Sequence, residues 1–245
     1  MNDLYEIIFA RRSIRKYNGE APLSDHEIQT IAKLADQSQN LVEGISTRFV
    51  ITPSKLSNVK FGQHSVLLYS QNHPYALLNA GYKMQQLDLE LAKRSIGSCW
   101  YGWIRPTARA PQDMTFIIQL AIGGESHEEY RKGMEEFSRK PMDEIWEGDF
   151  DKDVQNAVRL SPSACNSQCW RIKNEGKTIQ VFRDSANKSP IPKARRPYFN
   201  TIDMGICLCH LELALNKKSM RFTRVLAQPT AIEEGLIPIA TYTIG

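Results

Sequence analysis

The feature that most constrains this chain is that it carries one pattern twice. Gly81 recurs as Gly205, and at the same offset of 124 Leu87, Leu89, Leu91, Lys93 and Ser95 meet Leu211, Leu213, Leu215, Lys217 and Ser219. Upstream, Gln29, Leu34 and Asn40 are matched by Gln155, Leu160 and Asn166 at an offset of 126; downstream, Ile122-Gly123 is matched by Ile244-Gly245 at 122. Any one block is ordinary helix periodicity, but three blocks in the same order, spaced by about half the 245 residues, mark a duplication. The expected fold class is α+β: two similar helix–strand–helix–strand halves, about 1–145 and 146–245, related by a pseudo-two-fold axis like a dimer made covalent.

Local signals fill in those halves. Ser24 with Glu27 three residues on reads as a capping box, and Ile28, Ile31, Ala32, Leu34 and Ala35 keep helical spacing after it. Residues 48–52 (RFVIT) read as a strand; residues 65–70 read as another, with a buried helical turn as the alternative. A helix is expected over 80–96, with Met84, Leu87, Leu91 and Ala92 as its stripe and Gly97 as a left-handed cap. Strands are expected over 114–122, 178–182 and 237–244, and helices over 149–160 and 204–220. The stretch 125–136 reads as a charged helix or loop, and SPIPKARRP at 189–197 as a proline-rich basic loop without regular structure.

Composition narrows the function classes. With 42% hydrophobic and 24% charged residues the chain can bury a sizeable core, and a net charge of +4 suits an anionic ligand rather than a nucleic-acid-coating surface. Residues 1–9 carry acids where a signal peptide is basic, no apolar run approaches the ~20 residues of a membrane span, and five cysteines make no disulfide framework. The expectation is a cytoplasmic protein with no membrane or nucleic-acid partner, a monomer or weak homodimer.

The repeat is lopsided where chemistry is concentrated. Arg11-Arg12-Ser13-Ile14-Arg15-Lys16-Tyr17, a knot of cations around a hydroxyl, has no counterpart in the second half. Arginine forks with a serine hydroxyl match phosphate oxygens; a solvated cationic face is the alternative. Conversely, the small polar loop Ser161-Pro162-Ser163-Ala164-Cys165-Asn166 aligns with ADQSQN at 35–40, which lacks the proline and carries an acid. A two-fold arrangement is expected to bring the surviving corner and the surviving loop together over one phosphorylated cofactor, leaving the other site empty.

By these residues the chain resembles the FMN-dependent nitroreductase family. RRSIRKY at 11–17 is similar to the family's R-R-S-x-R motif, and SPSACNSQCW at 161–170 to its A-P-S-x-x-N-x-Q-P-W, with Cys169 in place of the proline. Gly97-Ser98-Cys99-Trp100 resembles its G-S-x-W, and residues 139–144 (RKPMDE) its closing R-x-P segment. The nearest likeness is to the fused single-chain branch, and the resemblance implies a nitroreductase-like fold with FMN as cofactor. It further implies that Arg11, Arg12 and Ser13 hold the phosphate and ribityl chain, that Arg15 lies by the pyrimidine edge, and that Gly97 and Ser98 sit near N5. Arg139 would return to the phosphate, and Pro162, Ser163, Ala164 and Asn166 would come from the other half. NAD(P)H is then the transient reductant and an electron-poor small molecule the acceptor, with no catalytic side chain required. A flavin-binding or regulatory protein with little turnover is the alternative, and a basic nucleic-acid-binding domain a more distant one.

Other constellations carry less. Cys207 and Cys209 face apart on a helix and read, with His210, as core rather than metal ligands; His26, His64, His73 and His127 are isolated. Cys165 beside Asn166 invites a thiol-nucleophile reading but lacks a recognisable His partner. The Trp100, Tyr101, Trp103 cluster is core or a stacking surface. KARR at 193–196 is a solvated loop or a site for an NADPH phosphate or substrate carboxylate.

Overall fold

The computed structural model describes residues 4–17, 22–107, 109–124 and 130–245. The chain forms two compact units, one of Ala10–Lys132 and one of Met1–Phe9 with Gly133–Gly245. It begins with a one-turn helix, α1 (Tyr5–Ile8), whose Tyr5 and Ile8 are buried in the second of these.

The Ala10–Lys132 unit contains α2 (Asp25–Gln37), β1 (Thr47–Pro53), a short α3 (Ser54–Ser57), β2 (His64–Ser70), α4 (Ala76–Lys93), β3 (Gly97–Tyr101) and β4 (Thr115–Gly123). The sheet order is β1-β2-β4-β3, antiparallel throughout. The expected capping box starts α2: Ser24 Oγ accepts from the Glu27 N–H at 3.3 Å, and the Glu27 carboxylate accepts from the Ser24 N–H at 2.8 Å. Ile31 and Ala35 turn inward from there. By contrast α4 is buried on nearly every face, including its polar Asn79, Gln85 and Asp88.

The left-handed residue closing α4 is Ser95 (φ 58°), with the Ile96 N–H donating to the Leu91 carbonyl at 3.0 Å. The expected cap at Gly97 is therefore displaced by two positions, and Gly97 opens β3 instead. Its missing side chain answers a packing demand: a Cβ there would lie 2.8 Å from Tyr17 Cε1 and 2.9 Å from Ile14 Cγ2.

The other unit continues with β5 (Trp146–Glu147), α5 (Lys152–Arg159), β6 (Trp170–Glu175), β7 (Thr178–Asp184), α6 (Arg196–Lys217), β8 (Phe222–Leu226) and β9 (Leu236–Ile244). The order is β5-β6-β7-β9-β8, with β5 parallel to β6 and the other pairs antiparallel. Asp151 caps α5 by accepting from the Asp153 and Val154 N–H groups. The basic loop ends sooner than its prolines suggest: Lys193–Arg195 is a 3-10 turn and α6 begins at Arg196, with Pro197 in the first turn, where a missing N–H costs nothing. Cys207, Cys209 and His210 are buried along α6.

Apart from α1, the short α3 and the two-residue β5, each unit runs helix–strand–strand–helix–strand–strand, every expected strand being one member of an antiparallel pair. The likeness extends to single hydrogen bonds. Ser219 closes α6 in the left-handed region (φ 55°), and the Met220 N–H donates to the Leu215 carbonyl at 3.0 Å, as in the Ser95 cap. Of the stretch 125–136, residues 125–129, His127 among them, lie outside the described residues, and Met134–Glu136 is a 3-10 turn.

Candidate functional site

Within its own unit the Arg11–Tyr17 segment lies along the free edge of β3. The Ile14 N–H donates to the Ser98 carbonyl at 2.8 Å, Ile14 is fully buried, and the Tyr17 hydroxyl donates back to the Ile14 carbonyl at 2.8 Å. Arg11 points inward and is only 5% exposed; its Nε lies 2.7 Å from a carboxylate oxygen of the fully buried Asp88. That carboxylate also accepts from Ser98 Oγ at 2.5 Å and Trp100 Nε1 at 3.2 Å. Two expected cofactor residues, Arg11 and Ser98, meet on an acid that sequence reasoning passed over. The signal was present as an aspartate set among the leucines of LDLEL, where a solvent-facing residue has no place.

The fork of Arg11 also turns toward Ser13, with Nη2 to Oγ at 3.4 Å, while Arg12 and Ser13 are half-buried and Arg15 is exposed. Gly97 lies against Ile14 and Tyr17, and the neighbouring Ser98 carbonyl accepts from Ile14. Trp100 is bound to Asp88, Tyr101 meets Phe61 edge-on at 5.4 Å, and Trp103 is 46% exposed.

The Ser161–Gln168 loop belongs to the other unit and has unusual backbone. Cys165 (φ 51°), Asn166 (φ 54°) and Gln168 (φ 50°) are all left-handed without being glycine, a conformation that persists only where surrounding bonds enforce it. Those bonds come from several sides. Asp203, on α6, accepts from the Ala164 N–H at 3.0 Å and from Ser167 Oγ at 3.3 Å. Ser163 Oγ accepts from the Gln168 N–H at 3.0 Å, Asn187 Nδ2 donates to the Ser167 carbonyl at 2.7 Å, and Gln168 Oε1 accepts from the Lys140 N–H at 2.7 Å. Arg139 donates to Asn166 Oδ1 at 2.9 Å and to the Leu160 carbonyl at 3.2 Å, with its guanidinium 5.4 Å from the Phe137 ring centre. Arg139 and Asn166, far apart in sequence, are thus joined directly. Pro162 enters the loop half-buried.

Electrostatics distinguish the loop's ionisable groups. Burial pushes Asp203 up to about 7, although its bonds from Ala164 and Ser167 pull the other way. Burial, then the Asp203 charge, raises the Cys165 thiol, so it stays protonated at neutral pH and is a poor nucleophile. Cys169, fully buried with Sγ 3.7 Å from the Asn200 carbonyl, fills the place where the resembled motif has proline. Among the described residues no group of three or more His, Cys, Asp or Glu is placed to hold a metal, and no helix is long and apolar enough to cross a membrane.

With this geometry in hand, the family model described as "Putative TM nitroreductase" matches residues 3–215. The chain belongs to this nitroreductase family. A "putative nitroreductase" from Thermotoga maritima shares its fold with a TM-score of 0.63 at 18% identity, over 98% of this chain and 92% of that one. Partial likenesses include an FMN-dependent nitroreductase from Clostridium difficile (TM-score 0.45, 16% identity, 54% of this chain and 93% of that one). Another is a nitroreductase in complex with FMN from Desulfovibrio desulfuricans (TM-score 0.46, 20% identity, 62% of this chain and 99% of that one). A comparison with curated proteins gave no match. For this nitroreductase-family chain the expected α+β class is the one observed, and the structure arranges its strands in two sheets.

Proposed function

We propose that the chain is an FMN-dependent oxidoreductase that takes hydride from NAD(P)H and passes electrons to an electron-poor organic acceptor of the nitroaromatic or quinone type. The observation that carries this reading is the family match over residues 3–215. The duplication, about 1–145 and 146–245, belongs to the same proposal.

The donor chemistry supports it. Arg11, Arg12, Ser13 and Arg15 form a cationic, hydroxyl-bearing segment suited to a phosphate, and Asp88 fixes the Arg11 fork by its Nε edge while its Nη2 turns toward Ser13. In the other unit Arg139, Ser163 and Asn166 offer a second donor set, with Pro162 and Ala164 shaping the pinned turn beside them. Gly97 and Ser98 serve as the packed floor beneath Ile14 and Tyr17. When bound, FMN supplies the hydride-accepting ring. The chain's own residues supply binding and orientation, and cations near the ring favour its reduced, negatively charged form.

Titrating the purified protein with FMN, then adding NADH or NADPH anaerobically, tests this. Bound flavin whose visible absorbance is bleached, and restored by a quinone, is the expected result. Bound flavin that neither nicotinamide bleaches makes the chain a flavin-binding protein without turnover, and failure to bind FMN overturns the proposal.

A further inference from the structure

The two units place different residues at one equivalent position of their long buried helices. At the repeat offset of 124, Asp203 of α6 corresponds to Asn79 of α4. Asn79 Oδ1 accepts from the Leu41 and Val42 N–H groups at 2.7 and 3.2 Å, holding the segment after α2. Asp203 holds the segment after α5 in the same way, through the Ala164 N–H and the Ser167 hydroxyl. The fold therefore asks only for a hydrogen-bond acceptor here, and a neutral amide supplies it in one unit. In the other a carboxylate has been placed, 3% exposed, under a turn with three left-handed non-glycine residues.

The groups facing Asp203 do not neutralise it. Cys165 and Cys169 from the turn and Cys207 from α6 are thiols raised by burial. The cations acting on Cys169 are engaged elsewhere: Arg183 of β7 with Glu233 at 2.6 Å, and Lys140 with the Gln168 carbonyl and Asn187 Oδ1 at 3.4 and 2.6 Å. A charged acceptor makes hydrogen bonds roughly twice as strong as a neutral one. Burial outweighs that gain. Protonated, Asp203 keeps both bonds, its carbonyl oxygen accepting from the Ala164 N–H and its hydroxyl turning to Ser167 Oγ; ionised, its buried charge is relieved when the turn opens to water. The turn is thus pinned most firmly when Asp203 is protonated and loosened as it ionises.

We propose that Asp203 is the positioning residue of the Ser161–Gln168 turn, and that its carboxylate couples the order of that turn, and so the cofactor affinity of Ser163, Ala164 and Asn166, to proton binding. The cofactor part rests on the FMN reading above; the coupling between carboxylate and turn does not. Asp203 reaches the cofactor only through the turn. Its elevation to about 7 sets the coupling in the neutral range.

Two measurements on the full chain decide the matter. The first is hydrogen exchange of residues 164–168 in the FMN-free protein, as protection over the intrinsic pH-dependent rate, from pH 5.5 to 8.5. Wild type is expected to lose protection about three- to tenfold as pH rises toward 7, with Asp203→Asn flat at the low-pH level. The second is the FMN dissociation constant by flavin fluorescence over the same range, with binding expected to be two- to tenfold weaker at high pH in wild type than in Asp203→Asn. The variant's own profile carries the titration of the FMN phosphate and serves as the baseline. Should Asp203→Asn not fold, Ser167→Ala removes one of the two donors and is expected to move the midpoint of protection upward. Protection that follows the expected profiles while FMN fails to bind at any pH retires the FMN reading and keeps the coupling. Protection that is flat in wild type, or changes with pH equally in wild type and Asp203→Asn (or, in its place, an unmoved midpoint in Ser167→Ala), overturns the assignment.

Discussion

Replacing Arg11 by alanine tests how far the Arg11–Tyr17 segment is part of the fold. Arg11 and Asp88 form an ion pair at 2.7 Å whose side chains are 6% and 0% exposed. Removing the cation leaves Asp88 with two neutral donors, Ser98 Oγ and Trp100 Nε1, in a site water does not reach. Breaking a buried pair from one side costs about 3–5 kcal/mol, because the remaining charge stays buried without compensation. At roughly 2–4 °C per kcal/mol for a chain of this size, the melting point should fall by about 6–20 °C. Arg11→Ala would then shed FMN for a structural reason, whether or not the arginine touches phosphate. Urea unfolding followed by tryptophan fluorescence, with Arg11→Ala, Asp88→Asn and the double variant, separates the possibilities. The double variant should lose clearly less than the sum of the singles, since neither charge is stranded in it. A loss below about 1 kcal/mol for Arg11→Ala, or strict additivity, refutes the reasoning.

Three further outcomes follow from the same geometry. Asp203→Asn should stabilise the protein at pH 8 and not at pH 4. The folded group holds its proton to about 7 against an ordinary 3.8, so wild-type stability falls as pH climbs between those values, by about 4 kcal/mol in total, as melting curves at each pH will read. Gly97→Ala should cost about 1–3 kcal/mol through its clash with Tyr17 and Ile14, and Tyr17→Ala in the same chain should recover part of that in a double-mutant cycle. Arg15→Ala, at an exposed position, should leave urea stability within about 0.5 kcal/mol and weaken FMN binding about tenfold or more in a fluorescence titration, as loss of a charged contact predicts.

The expected repeat rests on Leu87, Leu89 and Leu91 with Leu211, Leu213 and Leu215, and all six are buried in the cores of their units. The helix ends were not, because serine has no intrinsic preference for the left-handed region; Ser95 and Ser219 adopt it to bond back to Leu91 and Leu215. The Gly97 cap failed for the complementary reason, since close approach by Tyr17 and a positive φ both select glycine. The strands β6 and β8 escaped notice because WRIKNE is mostly polar and FTRVL is short, its apolar residues split by Thr223 and Arg224. Asp88 and Asp203 were invisible for a deeper reason: a carboxylate is read as surface until its partners are known, and these include Arg11, 77 residues from Asp88, and Ala164, 39 residues from Asp203. The joining of Arg139 to Asn166 was legible only as two separate motifs.

The chain leaves one unit at Phe9 and returns to it at Gly133, and the excursion is closed on itself: the Arg131 N–H donates to the Ala10 carbonyl at 2.8 Å. On the ribosome this ordering has a cost in time. Everything needed for Ala10–Lys132 emerges before any of α6, yet Tyr5 and Ile8, buried and made earlier still, belong to the unit that residues translated after Lys132 complete. This apolar turn must therefore wait, uncovered, through the synthesis of more than a hundred residues, and that interval is where a chaperone would be useful.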